Sequence, residues 1–357
     1  MPKTPPTAAE PATITLRSKA LVGGSMAFVA RARRRKRRFA SGRRFKDLAV
    51  PFIVQFLRKA PRPVALLPIS LIVWSARLLY HLPNNPLRRV AQDMSVVCRA
   101  NGHDLGAKTI YRTYLDNTRA TAELVRRLYR DGWESAIEWV QFPAADVARI
   151  RNLVAQYGGV AVAVPHNIGS TFSGIRFAKA FSSVLVAKNP DSLERTRIAL
   201  DFFERLDAKV LMVRDAKAMR ISRGLIKLLR SGHVVAVTFD LLTGPEDGIA
   251  TEAFGEPVWF PAWATRVPTT VGVPIVPSYV HSVGGQLQGA FGPAVVTDSA
   301  EEATAAVAAF FEQQVLEDPA SWAFMADKRW RRVLAKAAAR LSRSGPTSAA
   351  SGPHSGS

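Results

Sequence analysis

Two side chains in this chain stand where a proton could be moved at the edge of a sheet. The stretch GGVAVAVPHNIGST (158–171) is an apolar run that ends at Val164, is broken by Pro165 and then delivers His166. An imidazole in that position can take a proton from an attacking hydroxyl, because its ordinary pKa lies near neutrality. The second is Asp240, which closes the run HVVAVTF (233–239) and is placed on the same edge. A catalytic histidine usually has a carboxylate that fixes its tautomer. The residues after His166 are Asn167, Ile168, Gly169, Ser170 and Thr171, none of them acidic. His166 can therefore be a base, a disabled base or a turn residue. Asp240 can equally be an ordinary turn or N-cap aspartate.

Two further stretches could bind substrate. In VRDAKAMRISRG, Arg214, Lys217 and Arg220 follow an apolar run. Cations at a strand end can hold phosphate, although a solvated helix face has the same pattern. In AFGEPVWFPAWATRV, Gly255 and Pro257 flank Glu256 and force a turn. Its aromatics, Phe254, Trp259, Phe260 and Trp263, could wall an acyl-chain groove or pack on the core.

The elements that must carry these residues follow from periodicity. Apolar runs at 159–164, 183–187, 208–213, 233–239 and 274–280 read as strands. Helical patterns fill 174–181, 192–206 and 218–231, and a last helix covers 300–317. Near-continuous apolar strands alternating with helices predict an α/β fold, with a mixed, mostly parallel sheet flanked by helices. Residues 86–155 read as helices, one opening after Pro86 and closing near Gly102.

The N-terminal third differs. Residues 31–46 hold ten basic residues and no acid. The apolar segment that follows carries interspersed cations and Pro68; between Pro63 and Arg77 it has only 13 residues, short of the roughly 20 that a spanning helix needs. This suits a segment lying in the membrane interface, with Trp74 and Tyr80 at headgroup level and Arg58, Lys59, Arg62 and Arg77 on phosphates. A buried core helix is the competing reading. The organisation is then a disordered basic extension (1–47), an interfacial segment (48–85), an α/β domain (86–340) and a disordered tail (341–357).

The net charge of +21 implies an anionic partner: nucleic acid, an anionic membrane surface or an acidic carrier protein. The single cysteine, Cys98, excludes an internal disulfide and the four-ligand cysteine zinc patterns.

Taken in order, the motifs resemble those of the lipid A biosynthesis acyltransferase family, the lauroyl and myristoyl transferases. The phosphatidylinositol mannoside acyltransferases belong to the same group. The resemblance runs from about Pro86 to Val333. It rests on RRVAQDM, the strand ending in His166, VAKNPDSLERTR, LIKLLRSGHVVAVTFD, FGEPVWFPAWATRVPTTVGVPIVPSYV and DPASWAFMADKRWRR. It implies a glycerolipid-acyltransferase-like fold and an enzyme peripheral to, or singly anchored in, the cytoplasmic face of the bacterial inner membrane. Such an enzyme moves an acyl chain from acyl carrier protein or acyl-CoA to a hydroxyl of a glycolipid or phospholipid. No metal and no bound cofactor is implied, the acyl thioester being a co-substrate. The family site is His-(X)4-Asp/Glu. His166 matches the histidine and Thr171 takes the acid position. Asp240 matches an aspartate at the end of a later strand, but Leu241 replaces the glutamine that usually follows.

Three readings stay open. The first is an O-acyltransferase with His166 as general base and Thr171 or Asp240 as its orienter. The second is an impaired acyltransferase-like protein that binds lipid or carrier, because Thr171 replaces the motif acid. The third, a nucleic-acid binder using Arg31 to Lys46, lacks any recognition motif in the rest of the chain, so no specific nucleic-acid partner is expected.

Overall fold

The alternation of apolar runs and helical patterns becomes a layered α/β structure. The computed structural model describes residues 53, 55–181, 183–188, 196, 200, 203–204, 210–213 and 218–344. The basic cluster at 31–46 and Arg214 and Lys217 lie outside the described residues, as does most of the helical pattern at 192–206.

The described strands are β1 (Val140–Gln141), β2 (Val160–Val164), β3 (Ser183–Lys188), β4 (Val210–Val213), β5 (Val234–Thr238), β6 (Gly248–Ala253), β7 (Glu256–Pro261), β8 (Ile275–Val283) and β9 (Gln286–Phe291). The described helices of five residues or more are α1 (Arg62–Leu78), α2 (Pro86–Ala100), α3 (Ala107–Asp131), α4 (Trp133–Ile137), α5 (Ala144–Tyr157), α6 (Ser170–Ala180), α7 (Ala218–Arg230), α8 (Ala262–Val271), α9 (Ala300–Glu317) and α10 (Lys328–Ser344).

Seven strands form one sheet in the order β1-β9-β8-β2-β5-β3-β4. All neighbours run parallel except the β8–β9 hairpin. Strand β2 lies in the middle, between β8 and β5. Its residues alternate by the period of two that a pleated strand imposes. Ala161 and Ala163 face one apolar cluster, with α2, α9 and α10, whereas Val160 and Val162 face a second with Ile150 and Phe177. Burial on both faces explains why the strand is apolar throughout. Helix α5 stops before it at Gly158, which takes the left-handed conformation (φ 72°) that a side chain disfavours.

The five strand runs read from the sequence all hold strands. The sequence did not reveal β6, β7 and β9, nor β1, which lies within the stretch 86–155 read as helices. Segments such as GIATEA and QLQGAF lack the continuous apolar character of the central strands, and each belongs to an antiparallel hairpin, β6–β7 or β8–β9. The stretch read as an aromatic turn is the β6–β7 hairpin. Ala253 pairs with Glu256, so Phe254 (φ 55°) and Gly255 (φ 70°) form its two-residue turn. The left-handed φ of Gly255 favours glycine, and the guanidinium of Arg340 lies beside it.

Pro68 does not break the N-terminal apolar segment, contrary to the sequence reading. Helix α1 runs through it. Proline cannot donate to the Val64 carbonyl, but Val64 is exposed and the rest of the helix is continuous. With the short turn that follows, Arg62–His81 is long and apolar enough to cross a membrane, by length and composition.

Candidate active site

The register of two parallel strands creates the site. Strand β2 pairs with β5 so that Val164 stands opposite Thr238. His166 lies two residues past the first and Asp240 two past the second, so equal offsets from one rung bring them together.

His166 Nδ1 and Asp240 Oδ1 are 2.5 Å apart. The other carboxylate oxygen, Oδ2, accepts from the His166 backbone N–H at 2.9 Å and from the Trp322 indole N–H at 3.0 Å. Asp240 is 0% exposed, and an unpaired carboxylate there would be costly. The His166 side chain is 27% exposed. A carboxylate on Nδ1 selects the tautomer whose Nε2 carries the lone pair, leaving Nε2 as the atom able to take a proton.

The segment Pro319–Ala326 closes over this pair. Ala323 N–H donates to the His166 carbonyl at 2.8 Å, and Ile168 N–H donates to the Ser321 carbonyl at 2.7 Å. Phe324 stacks face to face on the imidazole, with centroids 3.9 Å apart and planes 5° apart. An aromatic face there fixes the ring plane and attracts an imidazolium when one forms. Trp330, in the first turn of α10, donates from its indole N–H to the Asp240 carbonyl at 2.7 Å. Trp322 and Trp330 are buried and meet edge to face, and Phe254 of the hairpin turn packs against both. The sequence had marked this C-terminal motif by its order along the chain but had assigned none of its residues a task.

A second polar group anchors the closing segment. Ser321 Oγ donates to Asp318 Oδ2 at 2.6 Å and accepts from the Ser282 N–H at 2.8 Å. His281 lies between Asp318 (3.3 Å) and Gln314 (2.9 Å). Ser, His and Asp do meet here, but the aspartate lies between the other two and Ser321 is fully buried. No nucleophile results. Cys98 is no better placed: burial pushes its thiol up to about 12.

With this geometry in place, a scan of known families finds that residues 115–332 match the model described as bacterial lipid A biosynthesis acyltransferase. The chain belongs to that family. No curated protein matches it. The matched span begins in α3 and ends in α10, so it contains His166, Asp240, Trp322 and Trp330. Acyl transfer in lipid biosynthesis is the general chemistry of the family, and its members are generally membrane-associated.

Thr171, which the resemblance puts in the motif-acid position, forms no hydrogen bond with His166. It lies in the first turn of α6 with an exposed side chain, and its hydroxyl makes no hydrogen bond among the described residues. The Nδ1 partner comes from the loop just past β5 instead.

The other candidates among the described residues are dispersed. Arg220 lies in the first turn of α7. Gly255 and Glu256 sit at the hairpin tip against Arg340, whose Nε reaches Glu256 Oε1 at 3.2 Å, and Pro257 is exposed beside them. The aromatics read as a possible groove wall split: Phe254 and Phe260 are buried in the core, while Trp259 and Trp263 are half-buried.

On α1, Trp74 is 60% exposed beside exposed Leu67, Leu71, Ile72 and Leu78. Such a contiguous apolar face marks a contact surface. Arg58 and Lys59 are exposed. Arg62 and Arg77, expected on phosphates, already have carboxylates on α3: Glu123 at 3.2 Å and Asp116. Tyr80 turns inward onto Tyr111 rather than outward to a headgroup.

Proposed function

We propose that this protein is a membrane-associated O-acyltransferase that moves a fatty acyl chain from an acyl thioester to a hydroxyl of a glycolipid or phospholipid. His166 Nε2 takes the proton of the acceptor hydroxyl as its oxygen attacks the thioester carbonyl. Asp240 holds the imidazole and balances its positive charge. The carbon–sulfur bond then breaks, and the imidazolium returns its proton to the departing thiolate. The observation that carries this reading is the 2.5 Å contact between His166 and the buried Asp240 carboxylate, in a chain whose family performs acyl transfer.

Acyl carrier protein or coenzyme A carries the donor thioester, and an acidic carrier suits the net charge of +21. The enzyme works at the cytoplasmic face of the bacterial inner membrane, with α1 in lipid and the basic stretch Arg31 to Lys46 on anionic headgroups. In this reading Arg214, Lys217 and Arg220 receive phosphates of donor or acceptor, and the hairpin residues Gly255, Glu256 and Pro257 border substrate.

Thr171 favours a second reading, a binding protein without turnover, because the motif acid is missing. The Asp240 contact weighs against it, since a carboxylate is supplied from another strand. Lipid mass spectrometry on wild-type, deletion and His166→Ala strains separates the two. An acylated species lost in both altered strains supports catalysis. A species lost on deletion but kept by His166→Ala assigns the protein a binding role.

A further inference from the structure

A basic cavity of about 350 Å³ lies between the starts of α2 and α10, with Asn84, Arg89, Asp93, Lys328, Arg331 and Arg332 among its lining residues. Four of these are cations. Asp93 is the acid among them, and it forms no ion pair with any of the four within 4 Å. Burial raises the Asp93 carboxyl from its ordinary value, and one carboxylate stands against four cations.

The cations also oppose the helices that carry them. The N-terminal end of a helix carries partial positive charge, and acids are favoured there. Neither α2 nor α10 has an acid in its first turn, although α2 begins with Arg88 and Arg89 and α10 with Lys328 and Arg329, then Arg331 and Arg332. The backbone N–H groups at these ends are already capped, by Asn85 in α2 and by Asp327 in α10. An anion in the cavity would therefore be met by side chains. The Arg331 Nε–H is buried and has no acceptor among the described residues. Asn84 steadies Arg89 at 3.0 Å.

Position identifies the anion's source. Asn84 follows two residues after Leu82, where the exposed apolar surface of Leu78, Leu79 and Leu82 ends. A helix in lipid that leaves the bilayer here would bring the cavity to the depth of the phosphate layer. Guanidinium groups match phosphate oxygens two at a time, and lysine adds a point charge.

We infer that this cavity binds the phosphate group of an anionic phospholipid headgroup and seats the enzyme on the bilayer where α1 leaves it. The same turn of α10 carries Trp330, which holds the Asp240 carbonyl, so the bound headgroup and the His166–Asp240 pair share one helix start. The inference rests on α1 contacting lipid and not on His166 acting as a base, so binding is read without turnover.

The test is co-sedimentation of the purified full-length chain with vesicles. Phosphatidylcholine vesicles are compared with vesicles that also contain phosphatidylglycerol. Arg331→Gln/Arg332→Gln is expected to weaken binding to the phosphatidylglycerol vesicles roughly tenfold, with phosphatidylcholine binding unchanged. Arg266→Gln, an exposed cation on α8, is expected to bind as wild type. If the double variant melts well below wild type, Arg89→Gln/Lys328→Gln, one change on each helix, gives the same reading. Undiminished binding by a folded double variant would overturn the inference, as would an equal loss on both vesicle types. In a separate arm, glycerol 3-phosphate is added without vesicles. A melting temperature that it raises in wild type and not in the variant, with vesicle binding unaltered, would assign the cavity to a soluble phosphate ester and overturn the lipid source.

Discussion

His166 and Asp240 are 74 residues apart in the chain and 2.5 Å apart in the fold. Equal offsets from the Val164–Thr238 rung bring them together, and Trp322 secures the carboxylate from its other side. The imidazole therefore has a buried acidic partner, although the loop that carries it contains no acid.

Replacing that charge should disable the base. Asp240→Asn keeps the shape but can donate to Nδ1 and so favour the tautomer that protonates Nε2. A fall in kcat of about 10²- to 10⁴-fold with little change in KM is expected. Initial rates on an acyl thioester and a glycolipid acceptor measure it. Circular dichroism establishes that the variant is folded. A loss below about threefold would mean that Asp240 does not orient the imidazole.

Position 171 should matter little. An exposed side chain without hydrogen-bond partners is generally worth no more than about 0.5 kcal/mol. Thr171→Val is expected to keep kcat within about threefold of wild type, and Thr171→Asp to bring no larger gain. A hundredfold gain from Thr171→Asp in the same assay would instead show that the site lacks its acid.

Trp322→Phe removes one donor from a fully buried carboxylate. A hydrogen bond to a charged group is worth about 1.5–3 kcal/mol, so unfolding stability should fall by that order. Urea titration measures it. A kcat that falls as well would show that the indole positions Asp240; an unchanged urea midpoint would show that another group takes over the bond.

The His281 group predicts a pH dependence. Burial pushes this imidazole down, but hydrogen bonds to Asp318 and Gln314 and the charges of Asp318 and Glu317 outweigh it and leave the pKa above the ordinary 6.5. A pKa raised in the folded state adds stability below the unfolded value of 6.5, and that stability is lost as pH rises through the folded value. Melting temperature should therefore decline across that window in wild type and be flatter in His281→Gln. Equal slopes between about pH 5 and about pH 8 would contradict this origin.

The fold class was legible because each central strand is apolar on both faces. Val160–Val164 needs a covering layer above and below, which a parallel sheet between helices provides. The β6–β7 hairpin was legible only as a turn. Phe254 and Gly255 mark its tip, but the strands beside it have mixed patterns whose partner decides their conformation. The Trp322–Trp330 support was visible as a motif without a task, because an indole N–H finds its acceptor only when distant segments meet.

Residue type and strand position were settled by the chain itself: a histidine just past one buried strand, an aspartate just past another, and a threonine in the motif position. What the chain could not express was strand order. The strand next in sequence to β2 is β3, yet β5 inserts between them and is β2's neighbour in the sheet. A local pattern records whether a strand is buried, but not which strand lies beside it; that depends on how the crossover helices pack. That packing, and no local motif, supplies His166 with Asp240 where position 171 has only a threonine.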